Sequence, residues 1–508
     1  MDIVHGLMTG LAIVFTPVNI LLVFVGAVMG TLVGILPGLG VTATVAILMP
    51  VVLGMTPVTA MIMLVSMFCG ARFGGAITAI MMNLPGESNA IVTCLDGYQM
   101  ALQGRAGPAI GLAAISSFVG GQISLVMMML LAPVMAKMAI GFGPPEFFSL
   151  TLMGLSLVTS LTGKSLVKGF LAATLGLVLA TVGSDMFSGS LRLTLGRIEL
   201  MDGINFVMVA VGLFALGEIL LNVEQGVKFS LGKVPRGLRN LLPTWQDIRQ
   251  CLTTWIRSII IGFIVGVLPG AGATVASFIS YAVAKTTSKT PERFGTGAVE
   301  GVAAAESADN ASTSGDLVPM LTLGIPGSAG TGMLMVVLLM FGLRPGPFLL
   351  PEHPEIFWGI VASMYFANIL LLIINIPLIP VVVQVLKVPY SLMYIIIIVI
   401  GSIGVYSIDY SIFDLRVMGV FGIIGYCFKK LDYPPACLLL ALILGPMVER
   451  AFRQSIILSD GSLSIFIERP VSAVFLFFAV LALFAPWLQR YFLARVRSKE
   501  RIPAESAQ

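Results

Sequence analysis

Charge is scarce in this sequence. Asp, Glu, Lys and Arg together make up 11% of its 508 residues, where a water-soluble chain carries about a quarter. Hydrophobic residues reach 57% and the mean hydropathy is +1.01, which excludes a soluble enzyme or soluble binding domain. Histidine occurs only at His5 and His353. That leaves little for an intramembrane hydrolase built on histidine, or for haem and most metal centres. The cysteines, Cys69, Cys94, Cys251, Cys427 and Cys437, contain no CxxC pair; free thiols are expected, with neither disulfides nor zinc. No GxxxxGKS/T loop is present, and no soluble segment is long enough to house a nucleotide domain. Met1–Gly10 lacks the basic start and cleavage site of a signal peptide. A net charge of +4 requires no nucleic acid partner.

What is present is apolar length. Runs of about 20 residues, enough to cross a bilayer, recur at Ala106–Ile140, Ser165–Val182, Phe206–Leu221, Ile356–Val385 and Ser472–Leu488. The expected fold is an all-α polytopic membrane protein with roughly a dozen transmembrane helices. Lys and Arg are absent before Arg72, whereas Lys228, Lys233, Arg236, Arg239, Arg249 and Arg257 crowd the middle of the chain. Arg490, Arg495, Arg497, Lys499 and Arg501 crowd its end. Positive charge near span ends stays in the cytoplasm, so the central linker and the C-terminus are expected there. Lys164, Lys168, Lys429 and Lys430 sit at span ends and read as topology anchors.

The chain also repeats itself. GILPGLGVT at Gly34–Thr42 returns as GVLPGAGAT at Gly266–Thr274. NLPGES at Asn83–Ser88 returns as GIPGSA at Gly324–Ala329, and GRAGP at Gly104–Pro108 as LRPGP at Leu343–Pro347. Three motifs in one order imply two transmembrane repeats, residues 1–225 and 255–495. A basic cytoplasmic linker, 226–254, joins them, and 496–508 forms a cytoplasmic tail. One repeat would begin outside and the other inside, so inverted topology is expected.

Each repeated motif places a helix breaker inside an apolar run. Proline lacks an N–H and glycine invites non-helical angles. Broken backbone at membrane depth is tolerated only where protein buries it or a polar cavity meets it. Freed N–H groups can hold an anion and freed carbonyls a cation. Gly34, Pro37, Gly38 and Gly40, with the hydroxyls of Thr42 and Thr44, are therefore candidates for substrate and ion binding. Gly266, Pro269, Gly270, Gly272 and Thr274 match them in the second repeat. The second breaks add Asn83, Pro85, Gly86, Glu87, Ser88 and Asn89, and then Pro326, Gly327 and Ser328. A kink with close glycine packing is the structural alternative for any one break. Two at matched positions, each followed by another, favour a site.

Ionisable groups in such runs are costly and mark function. Glu300, Glu306 and Asp309 lie in VEGVAAAESADNASTSGD. On a helix Glu306 and Asn310 share a face and offer oxygen ligands for Na⁺, or a carboxylate for H⁺; no other metal site is expected. A solvated loop is the alternative. Glu87 can instead cap a helix. Arg72 matches a carboxylate fork, but pairing with Glu87 or snorkelling to the interface is the preferred reading.

Three long stretches resemble a known family. GTLVGILPGLG at 30–40, GGAITAIMMNLPGESNAIVTCLDGYQMALQGRAGPAIG at 74–111 and FGTGAVEGVAAAESADNASTSGDLVPMLTLGIPGS at 294–328 resemble the large membrane subunit of tripartite tricarboxylate transporters. The resemblance covers nearly the whole chain. It implies a permease in the bacterial inner membrane, accompanied by a small membrane subunit of about four helices and a periplasmic solute-binding protein. The implied activity is uptake of citrate or a related small carboxylate, driven by Na⁺ or H⁺, with no cofactor and no enzymatic turnover. An ion channel or a carrier for a different organic anion is the alternative.

If the breaks form the site, Pro37→Ala and Pro269→Ala should insert normally yet lose uptake by about tenfold, or about 1.4 kcal/mol. Thr42→Ser and Thr274→Ser should be much milder. Initial uptake rates at matched expression decide this, and wild-type rates in both proline variants would sink the assignment.

Overall fold

The computed structural model describes residues 3–36, 40–84, 86–161, 165–225, 241–270, 272–385 and 390–483. Pro37, Gly38, Pro85 and Lys164, most of the basic linker and the C-terminal tail lie outside them, as does the Ser88 side chain. The chain runs α1 (Ile3–Val14), α2 (Pro17–Ile35), α3 (Val41–Leu53), α4 (Pro57–Met82), α5 (Ile91–Leu102), α6 (Ala106–Ala139), α7 (Pro144–Leu161) and α8 (Leu166–Ala180). A short hairpin, β1 (Gly183–Ser184) with β2 (Leu191–Arg192), leads to α9 (Phe206–Ala210), a π turn at Val211–Leu216, and α10 (Gly217–Gln225). Then come α11 (Trp245–Val267), α12 (Gly272–Thr287), α13 (Val299–Leu323), α14 (Ala329–Met340), α15 (Leu349–Glu352), α16 (Pro354–Val385) and α17 (Tyr390–Asp409). α18 (Ile412–Lys430), α19 (Pro435–Leu458), α20 (Ile465–Glu468) and α21 (Pro470–Leu483) complete it.

The fold is an all-α polytopic membrane protein. Among the described residues 7 helices are long and apolar enough to cross a bilayer, and shorter apolar helices such as α1, α8 and α14 accompany them. Of the helices that run into the breaks, α2, α4 and α11 are still long and apolar enough to span, whereas α14, beyond a break, is too short.

Two helices are buried along their length, α4 and α13. The VEGVAAAESADNASTSGD segment is thus a helix inside the protein and not a solvated loop. α2 lies along α4, and α11 along α13, through small residues. Gly30 and Gly34 of α2 face the backbone of Met67 and Ala71, leaving no room for a Cβ, and Gly262 and Gly266 of α11 face Ala308 and Ser312 in the same way. Close approach of this kind gives helices in lipid their packing energy.

Both halves stop their helices alike. Leu36 and Leu268 are extended, each returning its N–H to the carbonyl three residues earlier. Asn83 and Gly324 are left-handed, with φ of 55° and 71°. The start of α13 is capped from the other half of the chain. Asp96 of α5 accepts the N–H groups of Gly295, Gly297 and Ala298 at 2.8, 2.8 and 2.9 Å, and the Tyr281 hydroxyl at 2.8 Å. A carboxylate there also meets the positive end of the helix dipole.

Outside the helices, Asp185 organises the 181–205 connection. It accepts the N–H groups of Phe187 and Ser188 and pairs with Arg453 at 2.8 Å and Arg192 at 3.5 Å. The N–H groups of Ser188 and Phe187, and then Arg453, hold its carboxyl below the usual range.

Gly30→Ala should destabilise by about 1–3 kcal/mol through overpacking against Met67. Gly419→Ala, with open space at the Cβ position, should be neutral or gain up to about 1 kcal/mol of helix propensity. Thermal unfolding midpoints in detergent test the contrast; equal midpoints would refute the close packing.

Candidate functional site

The breaks of both halves meet at one place. Gly270 and Gly272 adopt φ of 83° and 62°, and the Gly270 N–H donates to the Gly327 carbonyl at 2.8 Å. The first and second breaks of the C-terminal half are thus bonded directly. In the N-terminal half Gly86 packs on the Gly34 carbonyl with no space for a side chain. Between the two pairs lies a cavity of about 610 Å³, within the range of small-molecule sites.

Of the residues expected from the sequence, Gly40, Thr42, Gly86, Glu87 and Asn89 line this cavity from one half. Gly270, Gly272, Thr274, Gly327 and Ser328 line it from the other. The remaining candidates support the walls. Gly34 and Gly266 are helix-packing positions, and the Thr44 hydroxyl bonds back to the Gly40 carbonyl at 3.2 Å. Asn83 ends α4. Pro269 and Pro326 are buried but do not line the cavity.

The charges were harder to foresee. Arg72 does not snorkel. It is buried in α4, and its Nη1 donates to Asp309 Oδ1 at 2.9 Å, with Glu87 Oε2 farther off at 3.9 Å. The reason is position: a side chain in the middle of a fully buried helix has no route to the interface. Asn89 Nδ2 donates to the other Asp309 oxygen at 2.5 Å, so that carboxylate is held from both sides. The guanidinium lies over the Phe68 ring at 5.1 Å. Its Nε is buried and has no hydrogen-bond partner, while the residue itself lines the cavity.

Glu87 takes up the role of a cap. Its Oε1 accepts the Val41 N–H at 2.8 Å, so a carboxylate already occupies the N-terminus of α3. The opposite helix, α12, begins at Gly272 on the cavity wall. α14 is closed by a capping box between Ser328 and Thr331.

Glu306 lies deeper. It accepts from the Thr93 hydroxyl at 2.5 Å and the Ser117 hydroxyl at 3.0 Å, while Asn310 donates to the Glu306 backbone carbonyl at 3.1 Å. The two expected ion ligands share one buried helix, with the Glu306 oxygens already engaged. Lys429, read from the sequence as a topology anchor, instead lines the cavity in an ion pair with Glu218. Asp316 also escaped notice. A helical repeat would have found it, because Asp309 and Asp316 are two turns apart on one face.

A second cavity, of about 890 Å³, reaches α14, α18 and α19 from their other ends, past Met335, Asp414 and Arg450. The turn from Gly324 to Ser328 separates the two, since Gly324 lines the larger cavity and Gly327 and Ser328 the smaller.

Comparison with known proteins shows what the chain is similar to. The family model described as "Tripartite tricarboxylate transporter TctA family" matches residues 20–440. An uncharacterised 52.8 kDa protein in the TAR-I ttuC′ 3′ region of Agrobacterium vitis is 43% identical over 473 residues, covering 93% of this chain and 94% of that protein. An uncharacterised protein in the TAR-II ttuC′ 3′ region of the same organism is 43% identical over 212 residues, 42% of this chain and 88% of its own length. No solved structure matches.

Removing one partner of a buried pair strands the other charge at a cost of about 3–5 kcal/mol. Arg72→Leu should therefore lower the unfolding midpoint and abolish uptake. Arg72→Leu combined with Asp309→Asn should regain much of the stability and remain inactive. If the double variant transported normally, Arg72 would be only a structural strut.

Proposed function

This chain belongs to the tripartite tricarboxylate transporter TctA family, and from that premise we propose how it works as the permease subunit. It imports citrate or a related carboxylate across the bacterial inner membrane, by secondary transport coupled to Na⁺ or H⁺. A periplasmic solute-binding protein delivers the substrate, and a small membrane subunit accompanies the permease. The observation that carries this reading is a buried guanidinium at a cavity built from helix breaks, where Arg72 and the N-termini of α3 and α12 converge. A di- or tricarboxylate suits that set. One carboxylate pairs with the Arg72 guanidinium, and another takes N–H groups at the start of α12.

Glu87 gives this binding a trigger. Its carboxylate sits on the α3 N-terminus and near Arg72, the two positions a substrate carboxylate would seek. An incoming anion must displace Glu87, and the displaced side chain carries the second break with it. The halves act as inverted repeats around the breaks, so that the two cavities open in turn. α10 runs into the basic linker, and Lys430 beside the site cavity pairs with Glu224 of α10 at 2.7 Å. The 610 Å³ cavity then opens toward the cytoplasm, and the larger one toward the periplasm.

Co-reconstitution tests the proposal. Labelled citrate uptake into proteoliposomes should saturate, should need all three components, and should collapse when the Na⁺ and H⁺ gradients are dissipated. Gradient-independent, non-saturating flux would indicate a channel instead. Full-rate uptake by this chain alone would remove the partners.

A further inference from the structure

Two carboxylates of α13 are not used by the site described above, Glu300 in its first turn and Asp316 beside the second break; Asp316 is the deeper of the two. It is fully buried, and neither of its oxygens has a hydrogen-bond partner. The backbone of the second break lies against it. A Cβ on Gly327 would strike Asp316 Oδ1, so the glycine exists there to let the second break lie against the carboxylate. The Ser328 hydroxyl faces Asp316 but is engaged with Thr331. The nearest acids are already held: Asp309 by Arg72 and Asn89, Glu306 by Thr93 and Ser117.

The local charge does not balance. Arg72 is the guanidinium facing Glu87, Asp309 and Asp316, and Glu306 lies within its field as well. Glu87 and Asp309 share that single positive charge. A further buried carboxylate, with only the shared Ser328 hydroxyl beside it, calls for a cation of its own. A proton answers this poorly, because the one nearby hydroxyl, Ser328, is shared with Thr331 and leaves at least one of a neutral carboxyl's two oxygens without a partner. A small hard cation suits it better. Oxygen ligands are what this region supplies, from the carboxylate and the non-helical backbone of the break beside it.

We propose that Asp316 is the carboxylate ligand of a Na⁺ site at the second break of the C-terminal half, directly behind the wall of the substrate cavity. The proposal rests on the transport reading above and names the residue that couples the ion to it. The coupling element is Gly327. Asp316 lies against one side of it, the Gly270 N–H bonds to its carbonyl, and its other side lines the substrate cavity. An ion held by Asp316 fixes the turn from Gly324 to Ser328, and with it the N-terminus of α12 that receives the anion. Na⁺ bound first therefore pre-organises the substrate site, and substrate bound first does the same for Na⁺.

The test needs no transport. The full-length chain in nanodiscs is titrated with NaCl at constant ionic strength made up with KCl, following the thermal midpoint and ²²Na⁺ binding. A ligand that binds only the folded state raises the midpoint with its concentration. Wild type should show a saturable Na⁺ response that KCl does not reproduce. Asp316→Asn should abolish that response while unfolding in KCl at or above the wild-type midpoint, since a buried charge has been removed. Gly327→Ala, which pushes a methyl onto Oδ1, should raise the half-saturating Na⁺ concentration by about tenfold or more. No Na⁺-specific response in wild type overturns the proposal, whatever the variants do. So does an Asp316→Asn protein that binds Na⁺ as wild type does, or a wild type that responds to pH but not to Na⁺. Uptake assays separate the two readings. Carboxylate uptake without Asp316-dependent Na⁺ binding defeats only this inference, and Asp316-dependent Na⁺ binding without carboxylate uptake defeats only the transport reading.

Discussion

The pairing of Arg72 with Asp309 ties α4 to α13, and most of the site follows from it. Both helices are buried along their length, so neither can send a charge to water. Arg72, the charge of α4, finds its counter-charge on α13, which helps fix how the two halves meet. The contact forms at 2.9 Å because the outer partners, α2 and α11, are lined with glycine where they cross. Those glycines let each central helix sink to a depth that bulkier residues would block. Packing through small residues thus sets the spacing, and one guanidinium sets the register at the level of the breaks.

The division of charge between halves is unequal although the motifs repeat. The first half supplies the guanidinium, Arg72, with the acids Glu87 and Glu218, and the second returns one cation, Lys429, which Glu218 neutralises. The second supplies Glu306, Asp309 and Asp316 from a single helix. A carrier of anions with a cationic co-substrate needs such asymmetry, because the two ligands must be distinguished by sign. Repetition gives the matching breaks, and divergence within the repeats gives the difference in charge.

Much of this was legible in the sequence, and the failures have a common cause. Helical class, the repeated motifs and the breaks are local properties, readable from hydropathy and from where proline and glycine fall. The lining residues Gly40, Thr42, Gly270, Gly272 and Gly327 could be named for that reason. For Arg72 the pairing with Glu87 is present at 3.9 Å, but the snorkelling alternative fails, because snorkelling or burial depends on what surrounds α4, and that is tertiary. The partner that decides it, Asp309, is far off in sequence. Glu87 posed a similar problem: a cap and a ligand use the same carboxylate chemistry, and only the 2.8 Å bond to Val41 tells which is made in this state. Lys429 looked like an interfacial anchor because span ends usually carry one, yet its neighbour Glu218 draws it to the cavity wall.

The wall between the two cavities is the short turn from Gly324 to Ser328, and its chemistry explains why it can serve both sides. A continuous helix there would satisfy every backbone group internally and offer nothing to a ligand. A fully irregular chain would leave N–H and C=O groups bare inside the membrane, at several kcal/mol each. The turn lies between these limits. Gly324 ends α13 in a left-handed conformation, Ser328 and Thr331 cap α14, and the Gly327 carbonyl is satisfied by Gly270. Only the few groups left over can take ligands. Because the turn borrows part of its hydrogen bonding from the other break, moving either break re-opens groups on both. A ligand that replaces those bonds on one side therefore changes which bonds are needed on the other, so opposite cavities can be coupled through a segment only a few residues long.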